Sequence, residues 1–176
     1  MSAHRIRSAR AVDLADLVMI YNHYVTTSHV TFDTEPFAVE ARRAWFESFS
    51  ESGPHRLLVA EVDSRLAGYA TSKEFRAKTA YRTSVETTIY LDPDNTGRGI
   101  GHALYAALIA LMEADPGVHR AYAGIALPND GSIRLHERLG FKNIGTFHEV
   151  GWKFGKYWDV CWFEADVSGL KRRFVG

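Results

Sequence analysis

The chain has one cysteine, Cys161, in 176 residues. A single thiol excludes an internal disulfide and any cysteine-rich metal site. Net charge is also missing: 21 Lys and Arg balance 21 Asp and Glu, so no bulk field draws the chain to nucleic acid or to an anionic membrane surface. There is no basic stripe of the kind that tracks a phosphate backbone. No apolar run is long enough to cross a bilayer, and the basic stretch MSAHRIRSAR leads into no apolar signal segment. The eight histidines never fall into His-x-x-x-His or His-Glu-x-x-His, so no metal is expected. Repeats and low-complexity tracts are absent. These absences point to a soluble protein of a reducing, cytoplasmic compartment. The length suits a single domain over 1–176.

What is present is a regular alternation of strand and helix patterns. HRIRSAR reads as a first strand. Asp13 is placed to cap a helix whose apolar residues Leu14, Leu17, Val18, Tyr21 and Tyr24 recur at helical spacing. AVEARRAWFESFS reads as a second helix. HRLLVAEVDSRLAGYATSKEF reads as two strands around a turn at Asp63 and Ser64. SVETTIYLD is rich in β-branched residues and reads as a strand. A helix is expected from Ile100 to about Ala114, ended by Pro116-Gly117. HRAYAGIAL is a further strand. NDGSIRLHERLGF is a short helix, with Gly140 at a left-handed cap and Phe141 folding back. The tail reads as two strands around a loop rich in glycine and aromatics. The order β-α-α-β-β-β-α-β-α-β-β describes a mixed α/β fold.

The stretch NTGRGIGHALYAAL lies between a strand and a helix start. There, exposed N–H groups and the positive end of the helix dipole can receive an anion, and glycine lets that anion reach main chain. A P-loop would carry Gly-Lys-Ser/Thr, but His102 follows Gly101. A dinucleotide fingerprint would carry a third glycine where His102 stands. Two readings remain for Gly97, Gly99 and Gly101: an anion seat, or a tight turn with close helix–strand packing.

TIYLDPDNTGRGIG, followed some thirty residues later by LPNDGSIRLHERLGF, resembles the acetyl-CoA-dependent GCN5-related N-acetyltransferases. Their pyrophosphate loop follows Gln/Arg-x-x-Gly-x-Gly/Ala. The matching stretch here runs from Thr96 to Gly101, with Thr96 a departure at its first position. YNHYVTTSHVTFDTEP, TAYRTSVETTIYLDP and GWKFGKYWDV resemble one branch, the phosphinothricin and methionine sulfone/sulfoximine acetyltransferases. The resemblance spans about Ile6 to Ala165.

It implies an acyl-CoA N-acyltransferase fold: a central, mostly antiparallel twisted sheet, splayed at the cofactor site and flanked by helices. It implies acetyl-CoA as co-substrate. The pyrophosphate would rest on Gly97, Arg98, Gly99, Ile100, Gly101 and His102. The pantetheine arm would pair with Ile89, Tyr90 and Leu91, a strand edge used as in peptide addition, with one N–H there as oxyanion donor. Asn129 and Ser132 would contact the arm. Glu86 is the implied base; a carboxylate ordinarily titrates at about 4.3, so it would be shifted or act through water. An ion pair with Arg76 or Arg82 is the structural alternative. His136 stands where many relatives carry a tyrosine acid for the leaving thiolate, and an imidazole can serve near neutral pH; packing between helix and sheet is the alternative. Phe32, Arg76, Lys78, Tyr81, Arg82, Val85 and Thr87 are expected around the acceptor, with cations for its anionic groups. Trp152, Phe154, Tyr157 and Trp158 read as core or subunit contact, and a homodimer is implied. The implied reaction is acetyl transfer to the amino group of a small amino-acid-like molecule, by direct attack in a ternary complex. Another small amine, a protein N-terminus, or a non-catalytic CoA-binding regulatory module are the alternatives.

Overall fold

The structure, a computed structural model, describes residues 4–167; the expected domain limits of 1 and 176 lie outside them. Seven strands form one sheet in the order β1-β2-β3-β4-β5-β7-β6. They are β1 (His4–Ser8), β2 (Arg56–Val62), β3 (Arg65–Glu74), β4 (Ser84–Leu91), β5 (Arg120–Ala126), β6 (Lys142–Lys153) and β7 (Lys156–Asp166). Among the described residues four α-helices, α1 (Leu14–Thr27), α2 (Arg43–Glu47), α3 (Ile100–Ala114) and α4 (Asp130–Arg138), join them in the chain order read from the pattern. Every pairing is antiparallel except β4 with β5.

Alternation along β2 shows why the sheet has two covered faces. Leu58, Ala60 and Val62 join the cluster under α3, while Leu57 and Val59 join Leu17 and Ile20 of α1. Such a strand is apolar almost throughout. On α3, Leu104, Leu108 and Met112 are at most 1% exposed. Burial of each such side chain contributes about 1.5–3 kcal/mol. The β2–β3 turn uses two left-handed residues, Asp63 and Ser64, whose twist suits a two-residue hairpin. Gly140 is left-handed (φ 89°), and the Phe141 N–H returns to the His136 carbonyl, closing α4 as expected.

Asp13 differs from the expectation. It makes no side-chain cap on α1. Its carboxylate instead accepts from the Arg10 N–H at 2.6 Å and from both terminal nitrogens of Arg7 at 2.7 and 2.9 Å. The two-pronged guanidinium outcompetes helix amides for the same oxygens. The tail also differs: its strands run through the glycine–aromatic region and turn only at Phe154 and Gly155. Trp152, Phe154 and Tyr157 are 57–58% exposed, not core. Two extra residues sit in β6, where Phe147 faces Val160 but Gly151 faces Trp158. Asp159 secures this bulge through the Glu149 N–H (2.8 Å) and the His148 ring (2.9 Å).

Candidate active site

Parallel strands β4 and β5 share three paired positions, Ser84–Arg120, Val85–Ala121 and Glu86–Tyr122. Beyond Glu86 they part. The edge of β4 from Thr87 to Leu91 keeps its partner β3 on one side and has no strand on the other. A cavity of about 340 Å³ fills the fork, walled by Thr87 to Leu91 on one side and Ala123 to Ala126 on the other. Tyr24, Val30, Thr96, Gly97, Asn129, Gly131, Ser132, Leu135 and His136 complete it. It passes between the strands, so main-chain groups line it. The Tyr24 hydroxyl, from α1, donates to the Leu91 carbonyl at 2.6 Å and fixes the end of the edge.

The glycines at the cavity mouth do different work. Gly97 and Gly99 have φ of 72° and 81°, and a Cβ on either would meet nothing within 4 Å. They supply the left-handed turn and leave open space above it. Gly99 caps α3, whose first bond runs from the Ala103 N–H to the Gly99 carbonyl; the preceding N–H groups are left for an outside acceptor. Gly101 is inside the helix and buried. A Cβ there would lie 3.1 Å from Leu91 Cδ1. Its Cα side is taken up by packing, as in the tight-turn reading of this glycine, and only its main-chain N–H is left for an anion. Ile100 is likewise a core side chain, 3% exposed, so only its main chain faces the loop. Arg98 donates to Asn95 and lines a neighbouring polar groove with Asp92 and Asp94, not the fork. His102 is exposed on α3. Asn129 is the N-cap of α4: its Oδ1 accepts from the Ser132 N–H at 3.1 Å while the residue lines the cavity.

His136 is 3% exposed and both ring nitrogens are engaged. Nδ1–H donates to the Ser132 carbonyl at 2.8 Å. Nε2 therefore accepts, and the Tyr105 hydroxyl donates to it at 3.0 Å. The Thr87 hydroxyl lies 2.5 Å from the Tyr105 oxygen and 3.1 Å from the Tyr122 carbonyl. Burial opposes charge on the ring and lowers the His136 pKa to about 4, against the raising effect of the Ser132 carbonyl. The imidazole is neutral at physiological pH. An acid ready for a thiolate, as its sequence position suggested, needs the opposite state. Tyr105, fully buried, is pushed upward by the same desolvation.

A second cavity, about 380 Å³, adjoins the first and shares Val30, Gly124 and Ala126 with it. Glu86 lies in its wall, with Phe32, Phe147, Val150, Val160 and Trp162. Glu86 is thus the one carboxylate of an apolar chamber next to the fork. Its partner is Lys73 at 3.7 Å, across the β3–β4 ladder, and not Arg76 or Arg82. Trp162 lies over Gly124, where an added Cβ would be 3.3 Å from the indole.

The remaining expected residues divide. Thr87 lines the fork. Val85 points the other way into the core at 0% exposure and reaches neither cavity; on a strand, neighbours of Glu86 must face the opposite side. Arg76, Lys78, Tyr81 and Arg82 are exposed on the β3–β4 connection and line neither cavity. Arg76 lies over the Phe75 ring, which stacks on Tyr122 beside Glu86. Tyr24, Val30, Gly124, Phe147 and Trp162 were not read as site residues from sequence. Only Gly124, a glycine within a strand, carried a local signal of close approach. Among the described residues no His, Cys, Asp and Glu group is arranged to hold a metal, and no helix is long and apolar enough to cross a membrane.

Residues 6–162 match the family described as an acetyltransferase (GNAT) domain. The chain is 54% identical to a phosphinothricin N-acetyltransferase of Streptomyces coelicolor, over 93% of this chain and 96% of that protein. It is 33% identical to an L-methionine sulfoximine/L-methionine sulfone acetyltransferase of Pseudomonas paraeruginosa, over 93% and 94%. A solved phosphinothricin acetyltransferase from Sinorhizobium meliloti, in complex with acetyl-CoA, superposes with a TM-score of 0.88 at 32% identity, covering 94% of this chain and 89% of the other.

Proposed function

The chain belongs to the GNAT acetyltransferases, and from that premise we propose that it moves an acetyl group from acetyl-CoA to the free amino group of a small amino-acid-like acceptor of the phosphinothricin, methionine sulfoximine or methionine sulfone type. The observation that carries this reading is the fork. An unpaired strand edge and a positive helix tip open beside a chamber whose single carboxylate is Glu86.

The chemistry asks for a held thioester, an uncharged amine and donors for the charge that develops. Main-chain N–H groups around Gly97–Gly101, at the start of α3, suit a diphosphate. The free edge of Ile89, Tyr90 and Leu91 suits the amide-bearing pantetheine arm, with Asn129 and Ser132 across the cleft. One N–H of that edge serves the carbonyl oxygen as it gains charge. Glu86 takes the proton of the incoming ammonium, directly or through water, and the neutral amine then attacks the carbonyl. His136, uncharged and bonded on both nitrogens, holds the first turns of α4 against Tyr105. The leaving thiolate is tolerable without a strong acid, since a free thiol titrates at about 8.5. Arg76, Lys78, Tyr81 and Arg82, exposed on the β3–β4 connection, are assigned to the acceptor's anionic groups on charge and on the family resemblance alone. The edge strand β6 and its hairpin expose Ile144, Phe147, Val150, Trp152, Phe154 and Tyr157, each at least half exposed, a surface suited to a second copy of the chain.

Thiol release from acetyl-CoA, measured across free amino acids and their sulfone, sulfoximine and phosphinate analogues, tests the substrate class. Glu86→Gln separates an enzyme from a binding module: turnover should fall at least about a hundredfold, as for loss of a general base, with acetyl-CoA affinity by calorimetry unchanged. Undiminished turnover would remove Glu86 from the mechanism.

A further inference from the structure

Lys153, at the end of β6, is 3% exposed although its side chain ends in an amine. Its Nζ donates to the Thr31 carbonyl at 2.8 Å and the Tyr24 carbonyl at 3.4 Å. Both acceptors are main chain; Asp33 acts on it only as a longer-range charge that raises its pKa, against a larger lowering by burial. Filling such a place with an apolar side chain of similar size is often neutral or stabilising. A buried cation here therefore calls for a reason other than stability.

The reason lies in what it grips. Tyr24 is in the last turn of α1, where the carbonyl end of the helix attracts a cation. Thr31 lies between Val30, which lines both cavities, and Phe32, which lines the chamber of Glu86. Its hydroxyl is already held by Tyr21 at 2.6 Å, so Lys153 pins the same residue from the other side. The same hairpin meets the segment twice more. Phe32 rests on Gly151, where an added Cβ would collide with the ring. His29 stacks on Trp158 at 4.0 Å and bonds the Pro128 carbonyl at 3.0 Å, beside the Asn129 cap.

We propose that Lys153 is a positioning residue for the acceptor: by holding the Thr31 carbonyl, it fixes Val30 and Phe32 as the chamber wall opposite Glu86. The claim rests on the acetyl transfer proposed above, but not on which amine is preferred. Val30 also lines the fork, but Phe32 lines the chamber alone, and the diphosphate seat around Gly97 and Gly99 belongs to other elements. Loss of the latch should act more strongly on the acceptor than on acetyl-CoA.

The test is Lys153→Met, with both substrates varied in steady state and acetyl-CoA affinity measured separately by calorimetry. The acceptor is whichever free amino acid or analogue the wild-type protein acetylates best. Acceptor KM should rise about tenfold, the size of one charge-assisted hydrogen bond, while acetyl-CoA affinity stays within about twofold and kcat falls less than KM rises. An unchanged acceptor KM, or equal loss toward both substrates, overturns the proposal. Should Lys153→Met lack a cooperative melt, His29→Ala, which removes a half-buried anchor of the same segment, decides the question: a selective rise in acceptor KM supports the latch, and no change refutes it. A wild-type protein that acetylates none of the phosphinothricin-type acceptors but does acetylate another amine would overturn the substrate class and leave this comparison intact.

Discussion

Replacing His136 by Gln should change how the protein responds to acid, and the size of the change follows from its surroundings. The ring is 3% exposed, with Nδ1–H on the Ser132 carbonyl and Nε2 accepting from Tyr105. Its pKa is lowered to about 4 by burial, against about 6.5 in an unfolded chain. A lowered histidine pKa makes the unfolded state the better proton binder below about pH 6.5. Stability is therefore lost as pH falls, and the loss is complete once the folded ring also titrates near pH 4. The full difference, two and a half units at 1.36 kcal/mol each, is about 3 kcal/mol. At pH 5 about 2 kcal/mol of it is already expressed. Urea unfolding of both proteins at pH 7.5 and pH 5.0 isolates the residue, because all other titrations cancel in the comparison. Wild type should lose about 2 kcal/mol more than His136→Gln between those two pH values. Parallel losses, or the resonance assigned to His136 itself titrating near 6.5, would refute the neutral, doubly bonded ring. They would reopen a role for His136 as an acid toward the thiolate.

Two further outcomes follow from the packing. Gly101→Val should cost about 1–3 kcal/mol in thermal unfolding, because its side chain meets Leu91 within the core. An unperturbed melt with weakened acetyl-CoA binding would return Gly101 to the anion seat. Trp152→Glu, on the exposed hairpin, should shift a dimer toward monomer in sedimentation; an unchanged mass would remove this surface from the proposed self-association.

Element order was legible because hydrophobic period, turn residues and caps are local. The long strands, α3 and the Gly140 stop of α4 all follow from neighbours within about one turn. The turn and the helix tip at Gly97 to Ile100 were legible in the same way, since the glycine stretch announces both. The chamber of Glu86 was not. Thr31 and Lys153 meet across 122 positions, and Gly124 meets Trp162 through a register that sequence does not print. The tail is also inverted relative to hydrophobicity: Gly151 and Lys153 face inward, while Trp152 and Phe154 face out. A rule that buries the largest apolar residue puts that strand's faces the wrong way round. Glu86 could be singled out as an acid within a strand, but its partner depended on the ladder with β3, which brought Lys73 and not the nearby arginines.

The common partition of Val30, Gly124 and Ala126 between fork and chamber has a consequence for the order of events. Under the proposed acetyl transfer, a thioester in the fork would form part of the lining that the amine meets in the chamber, and loading of acetyl-CoA before the amine would follow from this shared wall alone.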